Sequence, residues 1–454
     1  MTIHIKQNYS IAVLVFAIYI FVCYAVSIIP SEGNHDTIMI PACIAVMTLV
    51  LYFLFKGLCK SRMVMTAVLF SWILRIILIP IDIATGLTRQ PDQWGFLEAA
   101  KSISMGETGS SNIAWINFIN VEYTFFGISA FIVKLINAFV GMIGIAIVMR
   151  CMKEMKLSHR TYKMMSVILA VSPMTILHSV TALREPVYYL SVSISIYCLW
   201  KWCKSGKTNA FISSLIALIP AIYFHNGNVF IAFAYVVMFF AYRRGGNLKK
   251  IIIFCPLICV GAALLFYYTR SINGGYFGAL LNSNGIVEGL IKYVNSSNGY
   301  NAEGNSSYLI WTINVTSLSQ IILYTPLRMV YFIFGPMIWD IRRVVDLFAF
   351  LGDSTIFLYL AYLLLKIRKH YGKRKNKLKT IMLERWMFLK IGVLTILLFS
   401  LPFSWGTITY GTAIRHRNCL LPWVCILIGI CRDFLYNRPI YDFENKNVKS
   451  NMEG

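Results

Sequence analysis

The chain has 454 residues, of which 58% are hydrophobic and 13% are charged, and its mean hydropathy is +0.66. A soluble domain averages about 25% charged residues, so this composition excludes an ordinary soluble protein. The formal net charge of +23 does not indicate a nucleic-acid partner, because the Lys and Arg residues cluster in short loops between apolar segments, as they do in membrane proteins.

Uncharged runs of roughly 16 to 22 residues recur from Ser10 to Phe434, and each is about long enough to cross a bilayer as a helix. Backbone groups in lipid must be hydrogen-bonded within the protein, which leaves helices or a closed barrel. Runs such as Ile251–Tyr268 lack the alternation of a barrel strand. The first run, Ser10–Pro30, is longer than the apolar part of a signal peptide, so we expect an uncleaved span. The sequence predicts an all-α, polytopic membrane protein of about twelve transmembrane helices, with residues 1–454 forming one transmembrane domain.

The distribution of Lys and Arg predicts the orientation, because cytoplasmic loops carry an excess of both. The strongest cluster is Lys366–Lys379, where eight of fourteen residues are Lys or Arg. We therefore place the basic loop 366–386 and both termini in the cytoplasm. The segments that then fall outside include two large extracytoplasmic loops, 86–124 and 269–353, and short turns at Arg184–Glu185 and His225–Asn228.

One segment conflicts with simple counting of spans. A full crossing by Ile321–Trp339 would place Lys366–Lys379 on the outside, which the charge rule disfavours. The segment contains two prolines and a glycine that interrupt helices, and it carries Arg328 inside an apolar run. We therefore expect Leu309–Trp339 to enter the membrane and return to the outer side as a re-entrant segment. The next span, Leu351–Leu365, then runs inward.

The first outer loop contains the segment PDQWGFLEAAKSISMGE, which begins at Pro91 and carries Asp92. Its apolar residues recur at helical spacing, at positions Phe96, Ala99, Ala100 and Ile103. This pattern is typical of an amphipathic helix lying in the membrane interface. The alternative is a surface helix whose acids are simply solvated.

Two short outer turns also carry polar side chains. Arg184 and Glu185 lie at a membrane boundary, where charged residues usually face a cavity or pair with each other. The alternative is a local ion pair that closes the turn. His225 begins the other turn, and the alternative for it is a hydrogen-bonded turn residue.

Arginines on the outer side are informative because they oppose the charge rule. Arg328 lies near Asp340, Arg342 and Arg343, while Arg415, His416 and Arg417 precede the last span. Guanidinium groups match phosphate oxygens in a bidentate manner, so these residues suit a lipid-linked phosphate. The alternative is that they snorkel to lipid headgroups. The sequence contains no HExxH, paired CxxC or Walker A motif, which argues against a metalloprotease and an ATP-driven pump. We predict no metal and no cofactor.

The layout resembles a known class of enzymes. The early outer acid, Asp92, resembles the Asp/Glu-aromatic segment of GT-C glycosyltransferases, and the segment RHRNCLLP, which contains Arg415, is similar to the opening of their last spans. The size and the Arg-rich outer loops also resemble O-antigen and other oligosaccharide repeat-unit polymerases. The resemblance implies transfer of a saccharide from a polyprenyl (di)phosphate carrier to an acceptor hydroxyl outside the cytoplasm. Arginines would stabilise the departing phosphate, and these would be Arg184, Arg328, Arg415 and Arg417. Asp92 or Glu185 would act on the acceptor hydroxyl, and His225 or His416 could share that role.

Among the members of this class, a polymerase of undecaprenyl-diphosphate-linked repeat units in lipopolysaccharide biosynthesis is favoured, because many outer arginines could hold two phosphates. Such an enzyme would lie in a bacterial inner membrane, with its site facing the periplasm and a chain-length regulator as a possible partner. A GT-C transferase that adds one sugar from a polyprenyl-phosphate donor is the close alternative. A lipid-linked oligosaccharide flippase and a non-catalytic assembly protein are the other two.

Overall fold

The computed structural model describes residues 36–243, 286–299, 315–371 and 383–436, apart from the single residues 60, 89, 110, 112, 343 and 408. Every regular element of this part of the chain is a helix, which confirms the all-α prediction. The predicted spans Ser10–Pro30 and Ile251–Tyr268, most of the second outer loop and Arg343 lie outside the described residues.

The helices follow one another along the chain with short connections. In order, they are α1 (Asp36–Lys56), α2 (Arg62–Thr85), α3 (Pro91–Ser104), α4 (Ala114–Phe126), α5 (Ala130–Glu154), α6 (His159–Val171), α7 (Pro173–Ser179), α8 (Glu185–Ser205), α9 (Thr208–Ile216), α10 (Ile219–Phe224), α11 (Val229–Arg243), α12 (Ile286–Gly299), α13 (Leu318–Phe334), α14 (Val344–Ala349), α15 (Thr355–Tyr371), α16 (Leu383–Gly406), α17 (Tyr410–Arg417) and α18 (Leu421–Tyr436).

In the described ranges, six helical segments are long and apolar enough to cross a membrane. They are Met39–Lys56, Arg62–Thr85, Ala130–Glu154, Asp346–Lys369, Leu383–Gly406 and Tyr410–Tyr436. Three shorter apolar helical segments accompany them, namely Thr208–Phe224, Asn226–Tyr242 and Leu318–Phe334. The protein is thus polytopic, while the count of about twelve spans and the orientation remain predictions.

The region predicted to be re-entrant contains α13, which continues through Pro326 and ends at Gly335. The expectation that Pro326 breaks the helix is therefore wrong, because a helix in an apolar setting tolerates proline when neighbouring groups satisfy the freed backbone. Beyond Gly335 the chain makes a short 3-10 turn at Ile338–Asp340 before α14. Its return to the outer side remains a prediction.

The last span forms the centre of the bundle. In Tyr410–Tyr436, 83% of the most apolar stretch is buried, and α18 packs against α6, α15 and α16. Close approach of α16 depends on Gly392, because a Cβ there would lie only 2.7 Å from the Trp423 ring. Helices α5 and α8 form another extensive contact of the core.

The segment predicted to form the first outer loop is folded into a helical hairpin of α3 and α4. The helix predicted around Asp92 is confirmed as α3, and the apolar residues predicted to share a face are partly or fully buried. That face packs against Trp115, Ile116 and Ile119 of α4. Lipid is therefore not the sole partner of this face, and a position in the interface remains a prediction.

Candidate active site

The start of α3, which carries Asp92, is attached to the core through its neighbour Gln93. The fully buried Gln93 amide donates to Oδ2 of Asp82 at 3.2 Å and to the Thr88 hydroxyl at 3.1 Å, and its carbonyl accepts from Ala182 N–H at 3.2 Å. Asp82 in turn forms a buried ion pair with Lys134, with 2.6 Å between Oδ2 and Nζ. These contacts fix the start of α3 to α2, α5 and the segment before α8.

The segment 180–184 presents Arg184 and Glu185 at the start of α8. The indole of Trp115 donates to the Ala182 carbonyl at 2.9 Å. The amide of Asn137 donates to the carbonyls of Thr181 at 2.7 Å and Leu183 at 2.8 Å. Because side chains satisfy these buried carbonyls, the chain can remain non-helical here inside the protein.

Arg415 of α17 joins the acids from these two regions. Its Nη1 donates to Oδ2 of Asp92 at 3.0 Å, and its Nε lies 3.0 Å from Oε1 of Glu185. Oε1 of Gln90 accepts a longer hydrogen bond from Nη1, at 3.4 Å. The Asp92 side chain is 52% exposed, that of Arg415 13% and that of Glu185 3%. The guanidinium therefore connects an accessible carboxylate to a buried one.

Histidines line the same region. The rings of His225 and His416 lie 4.8 Å apart, and both pack against Phe403, at 5.1 Å and 4.9 Å. Nδ1 of His225 accepts from Gly227 N–H at 3.3 Å, as the turn-residue alternative predicts. Burial, followed by the positive charges of Arg184 and Arg415, lowers the pKa of His225 to about 3. The imidazole is therefore neutral near pH 7 and can donate or accept a hydrogen bond.

The remaining predicted arginines have different surroundings. Arg184 is half-buried, and its Nη1 donates to the Phe224 carbonyl at 2.7 Å. Arg328 is buried and lies over the Trp405 ring, with 4.1 Å from Cζ to the centroid. It shares no described contact with Asp340, whose carboxylate accepts from Met337 N–H at 2.9 Å.

Arg417 is fully buried, and its donors are engaged within the protein. Nε donates to Oδ2 of Asp353 at 2.5 Å, Nη1 to the Phe332 carbonyl at 2.7 Å, and Nη2 to the Ser354 hydroxyl at 3.2 Å. Nη2 also contacts the Asp353 carboxylate. This placement argues against the predicted phosphate-binding role, because a phosphate would have to replace an internal carboxylate. We assign Arg417 a structural role.

Two residues of the site are absent from the sequence-based prediction. His178 of α7 interacts electrostatically with Arg415, and the Tyr188 ring lies 6.2 Å from that of His225. His178 is a single polar residue in the apolar run MTILHSV, and that isolation was the only available signal. Within the described ranges, no group of three His, Cys, Asp or Glu residues is arranged to hold a metal ion.

Residues 110–244 match the family model of dolichyl-phosphate-mannose-protein mannosyltransferases. The match supports a membrane glycosyltransferase of the GT-C type. It covers less than a third of the chain, and no curated protein and no solved structure matches.

The residues that resemble the mannosyltransferase family include the segment 180–184, Glu185 and His225, but not Asp92 or Arg415. The similarity thus covers the turn that presents Glu185 to the site. The structure brings the remaining two residues to that turn from α3 and α17. Six of the eight predicted site residues meet in this cluster, namely Asp92, Arg184, Glu185, His225, Arg415 and His416.

Proposed function

We propose that the protein transfers a sugar from a polyprenyl-phosphate donor to an acceptor hydroxyl at the outer face of the membrane. One observation carries this proposal, which is the convergence of Asp92, Glu185 and Arg415 from three distant parts of the chain. It places an accessible carboxylate 3.0 Å from a guanidinium at one end of an apolar bundle. The partial match to the mannosyltransferase family supports the same donor class.

The chemistry of such a transfer requires both a carboxylate and a guanidinium. The acceptor oxygen attacks the anomeric carbon, the bond from that carbon to the phosphate oxygen breaks, and the hydroxyl proton passes to a base. Asp92 is exposed enough to receive that proton. The phosphate leaves with one additional negative charge, which Arg415 stabilises in a largely desolvated position. Arg184 adds positive charge beside it, and Glu185 holds the guanidinium in place.

Among the described residues, the number of arginines available in the cluster favours a donor with one phosphate. The preference for a polymerase assumed that several outer arginines hold two lipid-linked phosphates. Arg417 is engaged by Asp353, and Arg328 is buried over Trp405. Arg184 and Arg415 then remain as the cations of the cluster, which suits a single phosphate.

Polymerisation of diphosphate-linked repeat units remains the second candidate. It would use the same base and the same cations around the anomeric carbon that reacts. Gene deletion separates the candidates. A single-sugar transferase leaves glycan chain length intact and removes one sugar, whereas a polymerase leaves chains of one repeat unit. Loss of the whole surface glycan, with lipid-linked units left inside, would favour the flippase. A bacterial inner membrane with a periplasmic site is part of this proposal.

The transfer itself is tested with membranes that contain the full-length protein. Polyprenyl phosphates carrying radiolabelled mannose, glucose, galactose or arabinose are supplied, and label in the glycan fraction is counted. The wild-type protein should use at least one donor, and Asp92→Asn should lose about 100-fold or more in rate, as expected for a general base. Glu98→Gln is the matched control, because Glu98 is an exposed acid on the same helix. Transfer that is equal in Asp92→Asn and the wild type would overturn the proposal.

A further inference from the structure

Three buried polar atoms beside Arg415 have no hydrogen-bond partner in the described part of the chain. They are Nε2 of His178, Oε2 of Glu185 and the hydroxyl of Tyr188. The three residues are 6%, 3% and 2% exposed. Buried polar groups are nearly always hydrogen-bonded, and leaving one unpaired is costly. Three such atoms in one region indicate an occupant that satisfies them.

The three side chains belong to one place in the fold. Glu185 and Tyr188 are three residues apart on α8 and therefore share a face of the helix. The other carboxylate oxygen of Glu185 lies 3.0 Å from Nε of Arg415. Arg415 also interacts electrostatically with His178 and Tyr188, and α7, which carries His178, packs against α17.

The chemistry of these atoms selects the class of occupant. The carboxylate oxygen only accepts hydrogen bonds, the phenol hydroxyl donates and accepts, and a neutral imidazole nitrogen does one or the other. A phosphate has acceptors alone and is repelled by the Glu185 carboxylate. A hydroxyl group both donates and accepts, so several hydroxyls on one ring can satisfy all three atoms.

We propose that His178, Glu185 and Tyr188 bind hydroxyl groups of the sugar ring carried by the donor, next to the phosphate held by Arg415. The inference rests on the proposed function, because it assigns the sugar of that donor. It also explains why the guanidinium connects an accessible acid to a buried one. The phosphate lies toward the accessible side, and the sugar lies toward the buried side. Ordered water is the other occupant that would satisfy these atoms.

The test compares bare polyprenyl phosphate with the same lipid carrying one of four sugars. The full-length protein in nanodiscs is titrated with polyprenyl phosphate and with the mannosyl, glucosyl, galactosyl and arabinosyl forms of the same lipid. Tyr188→Phe should weaken binding of the preferred sugar-bearing lipid about three- to tenfold, as expected for one lost hydrogen bond. Binding of bare polyprenyl phosphate should stay unchanged. His178→Phe should give the same pattern.

Tyr189→Phe is the matched control. Its hydroxyl is also buried without a partner in the described residues, but its ring packs between α5 and α8. A Cβ added to Gly144 would lie 2.7 Å from that ring. The substitution should leave the binding of both lipids unchanged. An effect of Tyr189→Phe as large as that of Tyr188→Phe would show a general packing change and overturn the assignment.

The outcomes separate this inference from the proposed function. If Tyr188→Phe and His178→Phe bind the sugar-bearing lipid as the wild type does, the three atoms hold water only, and the sugar assignment is overturned while the donor class stands. An equal loss for both lipids also overturns it. Arg415→Ala should weaken the binding of both lipids. If the wild-type protein binds none of the lipids, the proposed function fails and this inference fails with it.

Discussion

Replacing Arg417 by alanine should unfold the protein rather than impair a formed site. The substitution leaves the buried Asp353 carboxylate without its cation and removes the donor to the Phe332 carbonyl. Asp353 is only 1% exposed, so water cannot replace the guanidinium. Removing one partner of a buried ion pair costs about 3–5 kcal/mol, which is a large part of the stability of a typical domain.

The assay is thermal unfolding in detergent, followed by fluorescence-detected size exclusion. Arg417→Ala should lower the melting temperature strongly and reduce the amount of protein in the membrane. The double variant Arg417→Met/Asp353→Leu should recover most of the stability, since apolar side chains of similar size often replace a buried ion pair without loss. Arg415→Lys should remain folded, because it keeps a cation beside the buried Glu185 and the exposed Asp92. Normal stability of Arg417→Ala with loss of transfer would refute the structural role and return Arg417 to the phosphate site.

Three further predictions concern the surroundings of the site. Lys134→Met should destabilise the protein by about 3–5 kcal/mol, because it leaves Asp82 without its cation. Adding Asp82→Asn should recover much of the lost stability. A normal melting temperature of Lys134→Met would contradict this prediction. The pKa of His225 lies below the unfolded value of 6.5, so the stability it contributes is fully present above that pH and is lost as the pH falls toward about 3. Melting between about pH 7 and about pH 4.5 should therefore depend less on pH in His225→Gln than in the wild type, and equal slopes would contradict the assigned shift. An alkaline phosphatase fusion at Gly372 should be inactive, and a fusion at Thr108 should be active. Activity of the Gly372 fusion would show that the predicted orientation is wrong.

The candidate site could be predicted in large part because polar residues in an apolar chain are few and stand out. Asp92, Glu185 and Arg415 each interrupt or border an apolar run. Acids that act on a hydroxyl and an arginine that binds a phosphate are the groups that sugar transfer needs. Their contact distances could not be predicted, since the three residues are far apart in sequence. The packing of α3 on α4 and the anchoring of Gln93 to Asp82 depend on tertiary contacts that no local pattern reports.

Arg417 shows what the sequence alone could not distinguish. It stands two residues from Arg415 and looks equivalent to it, but on a helix two positions differ by about 200° and so face opposite sides. One side contains the site, and the other contains Asp353, which lies 64 residues earlier in the chain. The fold was less ambiguous, because the length and apolar character of the spans define helices directly.

The sequence-based prediction does not include Lys134 and Asp82, although each is a single charge in an apolar run. Charged residues in spans usually pair with each other or serve a function. Complementary charges in neighbouring spans are the sequence signal for this pair. Tyr188 carried no comparable signal, because a tyrosine in an apolar helix is ordinary.

The rate of sugar transfer by Arg415 variants at matched protein levels tests directly whether this guanidinium holds the departing phosphate. Simple attraction to lipid headgroups needs charge alone, whereas a guanidinium that contacts a phosphate and a carboxylate needs its planar geometry. Arg415→Lys should therefore lose much of the activity, and Arg415→Ala should lose about 100- to 1,000-fold. Arg150→Lys, at a guanidinium whose side chain is 65% exposed, serves as the control and should keep the wild-type rate. Full transfer by folded Arg415→Ala would show that this guanidinium does not hold the departing phosphate.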